Sequence, residues 1–187
     1  MSSHHIVRED QEPALVIEDI QSIPPSLVGQ LLEWSPTVIA NKSSFTVAAG
    51  RGIKVDVLLT NEPIMSLQDH VSVFPLSGSF LDAAIRYLIA QGYGAANILS
   101  DQADPVALLQ YADAINAALL GRGRRIFVAR SGFSKWKAQG ESIYVYGNVP
   151  HTVVGLKPQQ EGHYITEADG FYSIRFKEGR GVVGEQL

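Results

Sequence analysis

Residues 80–99 read FLDAAIRYLIAQGYGAANIL, and this stretch decides the fold class. The apolar residues of its first part lie three or four positions apart, which predicts an amphipathic helix over residues 80–91. Gly92-Tyr93-Gly94 then ends the helix in the usual C-terminal manner. Ala96–Leu99 is a short apolar run and predicts a buried strand. A helix followed directly by a buried strand is the repeating unit of α/β proteins.

The same alternation extends to both sides of this stretch. Helices are predicted after Ser26, which is placed to cap the first turn, and over residues 105–120, with Asp104 as the N-cap and Gly121 past the end. A buried strand is predicted at residues 14–17, and further strands are predicted at residues 37–40, 55–59, 71–74 and 124–129. The pattern predicts a mainly parallel sheet with helices on both faces, whose ligands bind at the carboxyl ends of the strands.

After Ser131 the pattern changes to short alternating segments separated by Gly, Pro and Asn turns. We therefore expect two domains, an α/β domain of residues 1–132 and a small all-β domain of residues 133–187. Aromatic residues recur at strand spacing in the second domain. They predict its core and a face that contributes to a homodimer.

Composition excludes several classes of protein. The chain has 187 residues, no cysteine and a formal net charge of −4, so thiol chemistry is excluded and nucleic acid is not an expected partner. No apolar segment has the length of a signal peptide core or a membrane span, so we expect a cytoplasmic protein without membrane contact.

Ser77-Gly78-Ser79 lies between a predicted strand and a predicted helix start. Its N–H groups and hydroxyls could hold a phosphate at the positive end of the helix. Alternatively, the segment is a turn in which Ser79 is the helix N-cap. The residues alone leave both interpretations open.

Asp101 and Asp104 are the candidate metal ligands, because Mg²⁺ prefers hard oxygen donors. Asp104 stands directly before Pro105, which is also the sequence of an ordinary helix cap. The pattern favours the cap.

Five stretches, in their order along the chain, resemble motifs of the thiamine pyrophosphokinase family. Residues 52–57 read GIKVDV and resemble G-I-x-P-D-V, and residues 40–44 lie where the family has A-D-G-G-A. Residues 74–84 read FPLSGSFLDAA and occupy the place of P-x-K-D-x-T-D-L-E-x-A. Residues 140–145 and 155–157 resemble G-D-x-I-S-L and G-L-K of the family's β domain. The likeness covers most of the chain.

The resemblance implies a nucleotide-binding-like first domain, a thiamine-binding-like second domain and a homodimer. It also implies transfer of a pyrophosphoryl group from ATP to thiamine, with Mg²⁺ and ATP as cofactors if the protein is active. Carboxylates hold the magnesium in such transfers. Most of the family's acids are replaced here by neutral residues, namely Asn41, Asn61, Pro63, Ser77 and Phe80.

The resemblance places a ligand-binding site at the strand ends, with Asn41, Asn61, Ser77, Ser79, Asp82 and Asp104 as candidates. Three hypotheses follow. The first is that the chain is a member of the thiamine pyrophosphokinase family. The second is that it is a noncatalytic homologue, which either binds a nucleotide, a thiamine-like ligand or another heterocycle or serves as a dimeric assembly module. The third is that it is a different nucleotide-dependent transferase. The lost acids favour the second hypothesis on chemical grounds.

Overall fold

The computed structural model describes residues 12–64 and 68–187. The first part of the chain forms a parallel sheet with the strand order β6-β5-β1-β2-β3-β4. These strands are β1 (Ala14–Ile17), β2 (Val38–Asn41), β3 (Val57–Leu59), β4 (Ser72–Phe74), β5 (Ala95–Leu99) and β6 (Asn116–Gly121). β1 is buried along its whole length, as expected for a central strand covered on both faces.

Helices cover both faces of this parallel half. Helices α1 (Pro25–Leu32) and α2 (Lys42–Gly50) pack on one face, where Val28 and Phe45 join the core. Helix α3 (Phe80–Ala90) and a 3₁₀ helix (Pro105–Tyr111) pack on the other face.

The later strands are antiparallel and extend the same sheet. These strands are β7 (Arg124–Arg130), β8 (Phe133–Lys137), β9 (Ser142–Tyr146), β10 (His151–Val154), β11 (Leu156–Gln160), β12 (His163–Thr166), β13 (Gly170–Phe176) and β14 (Arg180–Gln186). The large sheet continues from β6 in the order β7-β14-β9-β12-β11, and β10-β13-β8 form a second, small sheet. Tyr172, Ile174 and Phe176 of the small sheet pack against Ile143 and Val183 of the large one.

The large sheet is therefore mixed, and the expectation of a mainly parallel sheet is correct only for β1–β6. β7 pairs with β14 along its length, so the sheet is continuous across residue 132. The domain boundary proposed at that residue stays a prediction. No helix in residues 12–64 and 68–187 is long and apolar enough to cross a membrane.

The predicted helix over residues 105–120 is wrong in its second half. The 3₁₀ helix ends at Tyr111 and residues 116–121 form strand β6, which pairs with both β5 and β7. Arg122 and Gly123 have positive φ angles of 52° and 69° and form a two-residue hairpin turn into β7. Pairing on both sides satisfies the backbone of β6, which outweighs the helical propensity of its alanines and leucines.

The start of α1 differs from the expectation, and helix α2 was not predicted. Ser26 is not the cap of α1, since the N-cap is Pro24, Pro25 is the first helical residue and no side chain caps this end. α2 follows β2 without an intervening loop, because Asn41 has extended backbone and its side chain caps the helix.

Candidate functional site

The carboxyl ends of the parallel strands form one edge of the sheet, and most candidate residues lie along it. Asn41 ends β2, Asn61 follows β3, residues 77–79 follow β4, and Asp101 and Asp104 follow β5. The loops after β4 and β5 share this edge, but β1, β2 and β3 lie between them. Neighbouring strands are about 4.8 Å apart, so these two loops are separated by roughly 19 Å.

Every polar atom of the Asn41 side chain is hydrogen-bonded to the chain itself. Its Oδ1 accepts from the Ser44 N–H at 2.8 Å and from the Ser43 hydroxyl at 2.9 Å. Its Nδ2 donates to the main-chain carbonyl of Glu18 at 2.9 Å. The amide therefore joins the end of β1 to the start of α2.

Asn61 makes a comparable pair of bonds. Its Nδ2 donates to the Leu76 carbonyl at 2.6 Å, and its Oδ1 accepts from the Leu76 N–H at 3.0 Å. The side chain continues the pairing of β3 and β4 past the end of β4 and fixes the loop that leads to Ser77.

Asn41 and Asn61 line one cleft of about 610 Å³. Most of the lining residues have polar side chains, and Leu59 and Leu76 are the apolar ones. The lining is Asn41, Lys42, Ser43, Thr46, Leu59, Thr60, Asn61, Glu62 and Leu76. Lys42 Nζ is 2.6 Å from Glu62 Oε2, an ion pair that joins two lining residues. These paired groups leave the cleft without net charge.

Of the candidates near the start of α3, Ser79 caps the helix and Asp82 belongs to a local hydrogen-bond network. Ser79 Oγ accepts from the Asp82 N–H at 3.2 Å and is the N-cap of α3, as one of the two interpretations predicts. Asp82 accepts from Arg86 Nε at 2.9 and 3.0 Å and from the Tyr111 hydroxyl. The hydrogen bond from Tyr111, followed by Arg86, holds the pKa of Asp82 below its usual range despite an opposing contribution from burial. Ser77 is exposed at the loop surface.

Asp101 and Asp104 do not converge on a common point. Asp101 Oδ1 accepts from the Arg122 N–H at 2.6 Å, and Asp104 Oδ1 accepts from the Val106 N–H at 3.0 Å as the N-cap of the 3₁₀ helix. Residue 121, which packs beside Asp101, must be glycine, because a Cβ on it would lie 2.1 Å from the Ser100 carbonyl oxygen. Both carboxylates thus satisfy neighbouring backbone groups.

The donor set does not fit Mg²⁺. Across residues 12–64 and 68–187 no group of three or more His, Asp or Glu side chains could hold a metal ion. The Oδ1 of Asn41 accepts two hydrogen bonds and lies at the N-terminus of α2, where the helix dipole is positive and disfavours a cation.

Sequence reasoning did not identify Glu18, which lies where the strand order changes direction between β1 and β5. Its Oε2 accepts from the Ser100 hydroxyl at 2.5 Å, and its carbonyl accepts from Asn41 and from the Ser44 hydroxyl. Ligands of α/β proteins bind at such a reversal of strand order. The signal for Glu18 was its position directly after the central buried strand β1.

The fold belongs to a recognisable class, an α/β layer whose sheet continues into a C-terminal β-sandwich. The chain has the fold of the thiamine pyrophosphokinases. The yeast enzyme superimposes with a TM-score of 0.68 at 7% identity, over 97% of this chain and 88% of that one. Thiamine pyrophosphokinase from Bacillus subtilis gives a TM-score of 0.62 at 12% identity, over 93% and 98% of the two chains. A probable thiamine pyrophosphokinase from Staphylococcus saprophyticus gives 0.65 at 13% identity, over 93% and 98%. The sequence matches no protein-family model and no curated protein sequence.

Proposed function

We propose that this chain is a noncatalytic homologue of the thiamine pyrophosphokinases that binds a nucleotide or a thiamine-like heterocycle in the cleft between Asn41 and Asn61. The observation that carries the proposal is that the side-chain amides of Asn41 and Asn61 are both hydrogen-bonded within the protein. Each donates an N–H to a main-chain carbonyl, from Asn41 to Glu18 and from Asn61 to Leu76. An ionised carboxylate at either position has no proton to donate.

These two positions are where the family resemblance expects metal-binding acids. Replacing either amide by aspartate would place a negative charge against a carbonyl oxygen and break a hydrogen bond. The amides are therefore structural parts of this protein, and the chain is built around neutral side chains at these positions. Positioning, and charge neutralisation by metal ions that carboxylates hold in place, account for most of the catalysis in phosphoryl transfer. Their loss supports binding without turnover.

The cleft has properties of a ligand site. Its volume of about 610 Å³ lies within the range of roughly 300–1,000 Å³ that is typical for small molecules. The hydroxyls of Ser43 and Thr46 already donate to Asn41 Oδ1 and to the Lys42 carbonyl, so they can only accept from a ligand. The Thr60 hydroxyl accepts from the Glu62 N–H and can donate, and Leu59 and Leu76 provide apolar contact. Because Lys42 and Glu62 neutralise each other, the cleft favours a polar heterocycle over a highly charged metal–phosphate complex.

Thermal unfolding tests the proposal with ATP, AMP, thiamine and thiamine diphosphate, each with and without Mg²⁺. A ligand at about one hundred times its Kd stabilises the native state by about 2.7 kcal/mol, which corresponds to a rise in Tm of about 5–10 °C for a chain of this size. We expect such a rise with at least one of these ligands, and we expect it to be independent of Mg²⁺.

Two variants of α2 localise the binding. Thr46 lines the cleft, whereas the adjacent and equally exposed Val47 does not. Thr46→Trp should abolish the ligand-induced rise, and the matched Val47→Trp should retain it. A rise that requires both ATP and Mg²⁺, or one that both variants keep, would contradict the proposal.

A second candidate function is a dimeric assembly module, which the outer face of the small sheet favours. Trp136 and Phe171 are cross-strand neighbours on β8 and β13 and are 54% and 74% exposed. Exposed aromatic pairs of this kind are enriched at protein interfaces.

A further inference from the structure

A cavity of about 310 Å³ lies between the 3₁₀ helix and the sheet, at the edge opposite to Asn41 and Asn61. It is bordered by the start of β6 at Asn116 and by the end of β7 at Arg130. Its lining residues are Leu108, Ala112, Ile115, Asn116, Ala117, Val128, Arg130 and Arg180. No candidate residue from the sequence lies in it.

The floor of this cavity is apolar. Leu108, Ile115 and Ala117 are buried, with exposed fractions of 1%, 4% and 6%, and Val128 is half-buried beside them. The surface suits the apolar body of a small molecule, because removing apolar area from water is favourable on both partners.

The mouth of the cavity is positively charged. Arg130 and Arg180 stand directly opposite each other on β7 and β14, so their side chains share one face of the sheet. Arg180 is paired with Asp113, with Nη2 2.7 Å from Oδ1. The hydrogen bond from Arg180, and more weakly the charge of Arg130, hold the pKa of Asp113 below its usual range.

Two guanidinium groups and one carboxylate leave a single positive charge in excess at this point. Like charges placed opposite each other on neighbouring strands destabilise a sheet, and one aspartate neutralises only half of the pair. Arginine presents a planar set of donors that matches a carboxylate in a bidentate geometry. One added carboxylate would complete the charge balance.

We propose that this cavity binds a small organic monocarboxylate. The apolar body packs against Leu108, Ile115 and Val128, and the carboxylate accepts hydrogen bonds from Arg130 and Arg180. The site is independent of the proposed cleft, because the two lie at opposite edges of the sheet.

Titration calorimetry with the full chain tests this proposal, using octanoate as the probe. Octanamide has the same apolar body without the charge, and inorganic phosphate supplies an anion without the body. We expect measurable binding of octanoate and at least about tenfold weaker binding of both other probes, because octanamide lacks the charge that pairs with the arginines and phosphate lacks the apolar body.

Three variants separate the cavity from general charge effects. Arg130→Gln should weaken octanoate binding at least about tenfold, whereas Arg175→Gln, which changes another exposed strand arginine, should leave it unchanged. Ala112→Leu adds bulk to the lining and should block binding with both arginines in place. Circular dichroism confirms that each variant is folded.

The proposal is overturned if wild-type protein binds no octanoate at millimolar concentration. It is also overturned if octanamide binds as tightly as octanoate, if Arg130→Gln and Arg175→Gln bind equally well, or if folded Ala112→Leu retains wild-type affinity.

Discussion

The Tyr111 hydroxyl donates a hydrogen bond to the Asp82 carboxylate and ties the 3₁₀ helix to the first turn of α3. Tyr111 is buried, and Arg86 Nε donates to both oxygens of the same carboxylate. Burial, followed by the hydrogen bond to Asp82, raises the pKa of Tyr111 to about 12. The pair secures two elements that follow different strands of the parallel sheet.

Replacing Tyr111 by Phe should lower the free energy of unfolding by about 1–3 kcal/mol at neutral pH, because a hydrogen bond from a buried tyrosine to a partly exposed carboxylate is lost. Denaturant titration measures the loss. Tyr87→Phe is the control, since Tyr87 is a partly buried tyrosine of α3 that packs against Phe74. Equal losses in the two variants would contradict a specific role for the hydrogen bond.

The same pair predicts a pH dependence. The pKa of Asp82 is lowered in the folded protein, so its contribution is fully present above the unfolded pKa of about 3.9 and is lost as pH falls through the lower folded value. The pKa of Tyr111 is raised, so its contribution is present below pH of about 10 and is lost as pH rises toward about 12. The stability difference between wild type and Tyr111→Phe should therefore shrink at both extremes. A difference that is constant from pH 2 to neutrality would contradict this prediction.

The amides of Asn41 and Asn61 give a second prediction. Asn41→Asp and Asn61→Asp should each lower the free energy of unfolding by about 1–3 kcal/mol, because each breaks a hydrogen bond to a carbonyl and leaves a carboxylate facing it. Asn148→Asp makes the same chemical change at an exposed loop position and should be nearly neutral. If Mg²⁺ stabilised the double aspartate variant beyond wild type, the cleft would be a latent metal site and the structural role of the amides would be wrong.

Buried Glu185 gives a third prediction. It is 3% exposed, accepts from the Tyr172 hydroxyl at 2.8 Å and pairs with Lys135. Burial, followed by the hydrogen bond to Glu185, raises the pKa of Tyr172. Lys135→Met should cost about 1–2 kcal/mol, less than for a fully buried pair because the lysine is 42% exposed.

A double-mutant cycle isolates this interaction. Glu185→Gln in the Lys135→Met background should recover part of the lost stability, because it removes the unpaired buried charge. Strict additivity of the two changes would show that the lysine and the glutamate are not energetically coupled.

The homodimer stays a prediction, and the exposed aromatics locate it. Phe171→Asp should shift a dimer toward monomer in light scattering, because it places a charge in the exposed aromatic pair of Phe171 and Trp136. Trp34→Asp changes another exposed aromatic, 70% exposed and remote from the small sheet, and should leave the mass unchanged. A wild-type monomer at micromolar concentration would contradict the dimer itself.

The alternation of strands and helices was predictable because apolar periodicity is a local property. β1 and α3 were found close to their actual bounds for this reason. Strand β6 was missed because its residues favour a helix in isolation, and only pairing with β5 and β7 makes them a strand. The pairing of β14 with β7 joins residues fifty or more positions apart, which no local pattern records.

The candidate site was predictable only in its location. Strand ends follow from the alternation, and this placed Asn41 and Asn61 at one edge of the sheet. The partners of their amides depend on the register between strands, because Asn61 reaches Leu76 only when β3 and β4 align as observed. Glu18 was missed for the same reason, since its contact with Ser100 joins residues 82 positions apart.

The last prediction concerns catalysis, and it follows from the charges at the sheet edge. ATP-dependent pyrophosphorylation of thiamine by this protein should be undetectable or very slow. The resemblance places Asn41, Asn61, Pro63, Ser77 and Phe80 where the family has acids, and removing one preorganised group from such a site commonly costs on the order of a hundredfold in rate. Purified protein with ATP, Mg²⁺ and thiamine is assayed for AMP release beside Asp104→Asn. Thiamine-dependent AMP release that disappears in the variant would overturn the noncatalytic proposal. Equal activity in both proteins would indicate a contaminating enzyme, because the resemblance places Asp104 at one of the family's acidic positions and a true activity would depend on it.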